Sequence, residues 1–245
     1  MLIGTCGSNI PLQEKLDNII PFYQPIVDKC NRVKGYEVLA RRREGSSYLG
    51  INFSTMTPKE ILSIDITMLR KILIDLPFLG ELGINILSIN LSPELDCPIY
   101  QELLLQVLLE SKRYCIENWL EVLEFANIDE SQKKILNKMI DFGARIACDD
   151  FGTLTCNFQR VLDFPYQIIK LDRSLLLKAS DDIHAMQMLS GLVEYLQNLN
   201  IQTVCEGVES DTHRQIANQL MSEYQQGYIY GMPSLLASVN KPSLI

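Results

Sequence analysis

Asp149 and Asp150 stand side by side at the end of an apolar run, in ARIACDDFG. Two like charges about 4 Å apart repel by roughly 4 kcal/mol at an effective dielectric of about 20, so something positive must join them. Milder versions of the arrangement recur: Glu37 in VKGYEVLAR, Glu121 in NWLEVLEF and Glu206 in IQTVCEG. Asn90, in INLSP, adds a further oxygen donor. Histidine adds almost nothing, because His184 falls within a helical pattern and His213 near a helix start. Ligation by oxygen alone favours Mg2+ or Mn2+ over zinc. Five carboxylates exceed what one such ion needs. Two ions about 4 Å apart, bridged by one carboxylate, would neutralise them, as in nucleases and phosphatases. Lys170, in QIIKLD, can steady an attacking water or a developing phosphoryl charge. Gln226, just before Gly227, can orient a ligand or a water.

Blander readings compete with each residue. A single acidic residue is more often a solvated loop residue than a ligand; only the set carries the metal reading. Asn90 equally suits capping of the turn NLSP. Lys170 with Asp172 equally suits a structural ion pair. The run Arg41-Arg42-Arg43 suits either an anionic ligand or a solvated loop. Asp150-Phe151-Gly152 resembles the kinase metal tripeptide, but no HRD and no glycine-rich loop precede it. Neither GxGxxG nor GK[ST] is present, which excludes the glycine-rich nucleotide folds.

These residues need elements to position them. Apolar segments of four to eight residues alternate with longer helical patterns. Strands are expected at 22–27, 33–39, 84–91, 119–123, 144–148, 167–171, 201–205 and 227–230. Helices are expected at 58–77, 100–109, 131–142, 156–162, 183–199 and 213–221. The polar turn Asp28–Arg32 makes the first two strands a hairpin, which lets the first strand run antiparallel. About eight strands favour a TIM-like (β/α)8 barrel over a doubly wound sheet. Asn90, Glu121, Asp149 and Glu206 all fall at strand carboxyl ends, which a barrel gathers on one face. The chain divides into an N-terminal extension, residues 1–19, and one barrel domain, residues 20–245.

Composition agrees. The 245 residues are 47% hydrophobic, enough for one large core. The net charge of −8 argues against a DNA-binding role. Seven cysteines form no CxxC pair, and Cys148 and Cys205 read as small buried hydrophobes, which fits a reducing compartment. No 18-residue apolar segment and no signal-peptide pattern is present, so a cytoplasmic protein with no membrane segment is expected.

The ordered motifs resemble the EAL domain family of cyclic di-GMP phosphodiesterases over about residues 20 to 233. FYQPIVD at Phe22–Asp28 resembles the opening strand, and Glu37-Val38-Leu39 stands at the name-giving motif with Arg41 following. INLSP, Glu121-Val122-Leu123-Glu124, Asp149–Thr153, Lys170-Leu171-Asp172, Glu206–Glu209 and Gln226-Gly227-Tyr228 complete the series. The resemblance implies an EAL-type barrel holding two Mg2+ or Mn2+ ions. Glu37, Asn90, Glu121 and Asp149 would hold one. Asp149 would bridge to the second, held also by Asp150 and Glu206. Lys170 would contact the water between them, giving Lys170, Glu206 and Glu37 catalytic roles. Gln24 and Arg41 would contact the substrate, and Gln226 would orient the catalytic end. Glu124, Asp172 and Glu209 would support the site from behind.

The implied reaction is hydrolysis of cyclic di-GMP to linear pGpG, which lowers the second messenger and favours motility over biofilm. A stand-alone bacterial signal-transduction enzyme, homodimeric and open to a regulatory protein partner, is what the family suggests. The chain departs from the family in Leu154-Thr155-Cys156-Asn157, where a glycine is usual, and in Arg41–Leu62. The loop change at Leu154 is the best support for the rival reading, a catalytically weak or inactive EAL-like domain acting as a cyclic di-GMP receptor or protein-interaction adaptor. Against it, every metal ligand is retained.

Overall fold

The computed structural model describes residues 16–122, 128–153 and 164–239. Nine strands form one sheet: β1 (Ile19–Asp28), β2 (Val33–Glu44), β3 (Ser47–Gly50), β4 (Ile86–Asn90), β5 (Glu117–Val122), β6 (Arg145–Phe151), β7 (Ile168–Leu171), β8 (Gln202–Cys205) and β9 (Tyr224–Gln226). Eight of them close into a ring, because β1 pairs with both β2 and β9, while β3 extends β2 as a hairpin. β1 is antiparallel to both neighbours, and the pairings from β2 and β4 round to β8 and β9 are parallel. This is a (β/α)8 barrel whose first strand is reversed. The reversal follows from the tight turn, where Asp28 accepts from the backbone N–H groups of Cys30 and Arg32 and no crossover helix intervenes.

The core has two parts. Ile26, Ile86, Trp119, Ala147, Ile168 and Val204 each come from a different strand and, with Tyr224, fill the barrel interior. The outward residues of the same strands, such as Leu87, Ile89, Leu120 and Ile169, pack under the helices. Helix α1 (Pro58–Leu82) shows why. Ile64, Met68, Leu69, Ile72, Leu76, Leu79 and Leu82 recur at three- and four-residue spacing and are buried. Thr57 and Glu60 form a capping box, Pro58 occupies the first turn, and Gly83 ends the helix at φ 74. Burying one leucine is worth about 1.5–3 kcal/mol. That is why the helix runs through Pro77 to Leu82 rather than stopping at the proline, which costs about 3 kcal/mol in a helix interior.

Further helices among the described residues are α2 (Pro98–Arg113), α3 (Glu130–Asp141), α4 (Arg173–Asp181), α5 (Ile183–Asn198) and α6 (Asp211–Gln219). β3 and α4 were not expected from the sequence. The expected last strand at 227–230 is a turn, in which the Tyr230 N–H donates to the Gly227 carbonyl at 3.0 Å. The strand lies just before it, at Tyr224–Gln226. The run Tyr-Ile-Tyr has strand propensity, but propensity yields to backbone packing here. A Cβ on Gly227 would lie 2.2 Å from the Val208 carbonyl oxygen. The helix expected at 156–162 lies outside the described residues. No helix among the described residues is long and apolar enough to cross a membrane.

One barrel position depends on the absence of a side chain. A Cβ on Gly35 would lie 2.0 Å from the Ile86 carbonyl oxygen, where β2 runs beside β4. Gly35→Ala is expected to cost at least about 2 kcal/mol, read as a lower urea midpoint at unchanged slope. An unchanged midpoint would contradict this strand approach.

Candidate active site at the carboxyl ends of the strands

The polar ring follows from period-two alternation. Two residues beyond the apolar plug residue of each strand comes a polar one: Ile86 then Ser88, Trp119 then Glu121, Ala147 then Asp149, Ile168 then Lys170, Val204 then Glu206, Tyr224 then Gln226. Both members of such a pair point into the barrel. Glu37 on β2 pairs in register with Gln24 on β1 and Ser88 on β4 and completes the ring. The site therefore sits directly on the apolar plug, at the mouth formed by the strand carboxyl ends.

Lys170 occupies the centre, with its side chain 1% exposed. Its Nζ lies 2.9 Å from carboxylate oxygens of Glu121, Asp149 and Glu206, and 3.6 Å from Glu37. Burial alone would favour the neutral amine, but Asp149, Glu121, Glu206 and Glu37 outweigh it and hold the ammonium well above its ordinary pKa. One ammonium does not neutralise four carboxylates. Burial, reinforced by Glu37 and Asp149, pushes Glu121 well above the usual carboxylate range against the pull of Lys170 and Ser88. Glu206 is pushed up to about 8, mainly by burial, with Asp149 and Glu37 adding to it against Lys170.

Hydrogen bonds fix the remaining groups. Glu37 accepts from Asn90 Nδ2 at 3.1 Å and from Gln226 Nε2 at 2.6 Å, and Gln226 also donates to Gln24 Oε1 at 3.3 Å. Ser88 Oγ donates to Glu121 Oε1 at 2.6 Å. Glu121 Oε2 is buried with no hydrogen-bond partner among the described residues. Asp149 Oδ1 faces Lys170 Nζ at 2.9 Å yet accepts no well-directed hydrogen bond. In β6 the pairing with β7 shifts between Cys148 and Phe151, and Asp150 takes φ +50. This irregularity lets two consecutive residues serve one mouth, which a regular strand would send to opposite faces. Oxygens of Asp149, Asp150 and Glu206 lie within 4.8 Å of one another. An all-oxygen donor set, a buried Glu121 oxygen with no partner among the described residues and an excess of negative charge together fit a divalent cation.

The structure thus brings together Gln24, Glu37, Asn90, Glu121, Asp149, Asp150, Lys170, Glu206 and Gln226. Gln24, Glu37, Glu206, Glu209, Gln226 and Tyr228 line a cleft of about 210 Å³. A larger cavity of about 320 Å³ lies away from the ring, between Tyr23, Tyr36 and Tyr230. The alternative reading of Lys170 and Asp172 as a structural ion pair does not hold; Asp172 caps α4 by accepting the Ser174 N–H at 2.9 Å. Glu209 pairs with Arg173 at 2.6 Å, and the Arg173 stem packs where a Cβ on Gly207 would stand. Glu124 and Leu154 lie outside the described residues. Arg41 belongs to β2 rather than to a loop, and its Nη1 donates to the Ala40 carbonyl at 2.9 Å.

Sequence reasoning missed Ser88 and Asp65. Asp65, on α1, lines a side cleft of about 90 Å³ with Arg41, Phe53, Asn90 and Tyr100. Its Oδ2 is buried without a hydrogen-bond partner among the described residues. Burial pushes its pKa up to about 7 despite a hydrogen bond with Ser92. The available signal was one carboxylate in the apolar helical run ILSIDITML. A folded-state pKa above the unfolded value means stability is lost as pH rises from about 4 through 7. Asp65→Asn is therefore expected to be more stable than wild type above pH 7, by up to about 4 kcal/mol. The gain should vanish near pH 4; a pH series of urea unfolding curves checks this.

Comparison with known proteins places this geometry. A family model described as "EAL domain" matches residues 11–233. The "Probable cyclic di-GMP phosphodiesterase PdeG" of Escherichia coli K12 is 29% identical over 229 residues, covering 88% of this chain and 44% of that protein. The "Cyclic di-GMP phosphodiesterase RocR" of Pseudomonas aeruginosa is 36% identical over 91 residues, 37% of this chain and 23% of that protein. The chain thus spans less than half the length of these relatives. Among solved structures, the EAL enzyme Bd1971 in its cAMP- and cyclic-di-GMP-bound form superposes with a TM-score of 0.77 at 21% identity, covering 90% of this chain and 63% of that one. An EAL domain protein of Listeria monocytogenes EGD-e gives 0.73 at 22% identity, covering 94% and 96%. These structural likenesses concern the fold.

Proposed function

The chain belongs to the EAL domain family, and from that premise we propose that it is a metal-dependent phosphodiesterase hydrolysing cyclic di-GMP to linear pGpG. The observation that carries the proposal is the buried carboxylate ring around Lys170, with its unneutralised charge and a Glu121 Oε2 that has no partner among the described residues. Relatives described as cyclic di-GMP phosphodiesterases support the choice of substrate.

Glu37, Asn90, Glu121 and Asp149 would hold one divalent cation, and Asp149, Asp150 and Glu206 a second. Bound there, the cations would neutralise the ring and activate water for attack on phosphorus. The chain's own groups do the rest. Lys170 presents a fixed ammonium to the attacking oxygen or the phosphoryl oxygens, in a site too dry to screen it. Gln226 and Asn90 hold Glu37 in one orientation. Arg41 offers a guanidinium to a phosphate at the rim. Asp65, beside it, offers carboxylate oxygens to the N1–H and N2–H donors of a guanine. Water adds across the P–O3′ bond: its hydroxyl goes to phosphorus, which keeps the 5′ oxygen, and a proton goes to the departing O3′. A homodimer and a regulatory protein partner belong to the same reading.

Purified protein with Mg2+ or Mn2+ is expected to convert cyclic di-GMP to pGpG, resolved by chromatography. Glu37→Ala is expected to lower turnover more than about 100-fold, beyond the usual loss for a merely supporting group. Asp65→Asn is expected to raise KM about tenfold or more with kcat nearly unchanged. Binding of the dinucleotide without product under either metal would replace this reading with a receptor or adaptor.

A further inference from the structure

Ser88 is a fully buried hydroxyl whose place in the site no motif explains. It points into the barrel from the middle of β4, one step above Ile86 in the apolar plug and level with Glu37 on β2. Its Oγ donates to Glu121 Oε1 at 2.6 Å. Lys170 Nζ lies 2.9 Å from the same oxygen. A hydroxyl donor and an ion-paired ammonium therefore converge on Oε1. The other oxygen, Oε2, is buried and accepts nothing among the described residues.

A carboxylate held in this way is not symmetric. Its first oxygen is occupied from below, and only its second is free to take a ligand. Such a group serves as a one-oxygen ligand and resists turning to offer both. That distinction separates cations. Mg2+ demands near-octahedral geometry at about 2.0–2.1 Å, whereas Ca2+ takes 6–8 oxygens at about 2.3–2.6 Å and readily accepts a bidentate carboxylate.

We propose that Ser88 is a positioning residue that locks Glu121 as a one-oxygen ligand and so tilts the site toward Mg2+ and Mn2+ over Ca2+. The proposal rests on the metal-binding reading of the ring given above and adds to it a residue and a selectivity. Removing the hydroxyl frees Oε1 on one side. Glu121 can then rotate, which harms the ion needing strict geometry and spares the one tolerating bidentate contact. A merely structural serine would not produce this asymmetry; its loss would weaken all cations alike or none.

The experiment uses the whole chain and reads metal binding rather than turnover. Mn2+ and Ca2+ are titrated separately into metal-free wild type, Ser88→Ala and Ser88→Cys by calorimetry, with thermal unfolding of each variant as a check of folding. Cysteine preserves most of the volume while supplying a much weaker donor, so it decides the matter if the alanine variant fails to fold. Mn2+ affinity is expected to fall 10–100-fold in Ser88→Ala, as for lost supporting contacts at metal sites. Ca2+ affinity is expected to fall several-fold less, so that the Mn2+ to Ca2+ preference drops about tenfold. Ser88→Cys is expected to lie between. Equal losses for the two ions, or unchanged Mn2+ affinity, would overturn the proposal while leaving the metal reading intact. A wild-type protein that binds neither ion would overturn both.

Discussion

A buried lysine facing four carboxylates is the constraint on which this protein turns. An ion pair removed from water recovers its desolvation cost only when partners are close and remaining lone pairs are satisfied. Lys170 meets the first condition, with three carboxylate contacts at 2.9 Å. The second fails by design of the ring, since one positive charge is shared among Glu37, Glu121, Asp149 and Glu206. Everything beneath the ring, from the apolar plug to the closed sheet, acts to keep these side chains from swinging out to solvent. A fold selected for stability alone would place hydrophobic residues there. The ring concentrates a surplus of negative charge away from water, which is why Glu121 and Glu206 are raised rather than left as ordinary carboxylates.

The barrel supplies rigidity through alternation. Each strand places an apolar residue inward and, two residues later, a polar one. The plug of Ile86, Trp119, Ala147, Ile168 and Val204 thus aligns the layer above it. Two irregularities adapt this regular frame. The β6 irregularity at Asp149 and Asp150 supplies two consecutive carboxylates to one mouth. The reversed β1 brings Gln24 opposite Glu37 and sets Ile26 against Gln226 on β9. Strained or reversed backbone collects where chemistry is placed, and the regular strands around it hold it there.

The rim is built differently from the floor. Arg41 lies on β2 and Asp65 on α1, so the side cleft combines a strand of the barrel with the helix packed on its outside. The charge of Asp65 is costly in that position, and the same cost leaves it with unused hydrogen-bonding capacity. Floor and rim therefore differ in kind, with charge concentrated on the axis and a single buried carboxylate set beside Arg41 at the edge.

Spacing along the chain was enough to locate Glu37, Asn90, Glu121, Asp149, Asp150, Lys170 and Glu206, because each ends or lies in a short apolar run and strand periodicity is a local property. The same periodicity announced the alternating strands and the hairpin that reverses β1. Distances could not be read that way. Whether Lys170 would join Asp172 or the distant carboxylates was decided by which side of β7 faces inward, and Asp172 went to cap a helix instead. The end of α1 past Pro77 and the turn at Gly227 were decided by burial and close backbone approach, which outweigh local propensity. Ser88 and Asp65 stayed hidden for a related reason: a serine in a strand and an aspartate in a helix are unremarkable until packing removes them from water. Local order fixes which groups a chain carries toward a face; only closure of the sheet fixes which of them touch, since contact between residues far apart in sequence is a property of the whole ring.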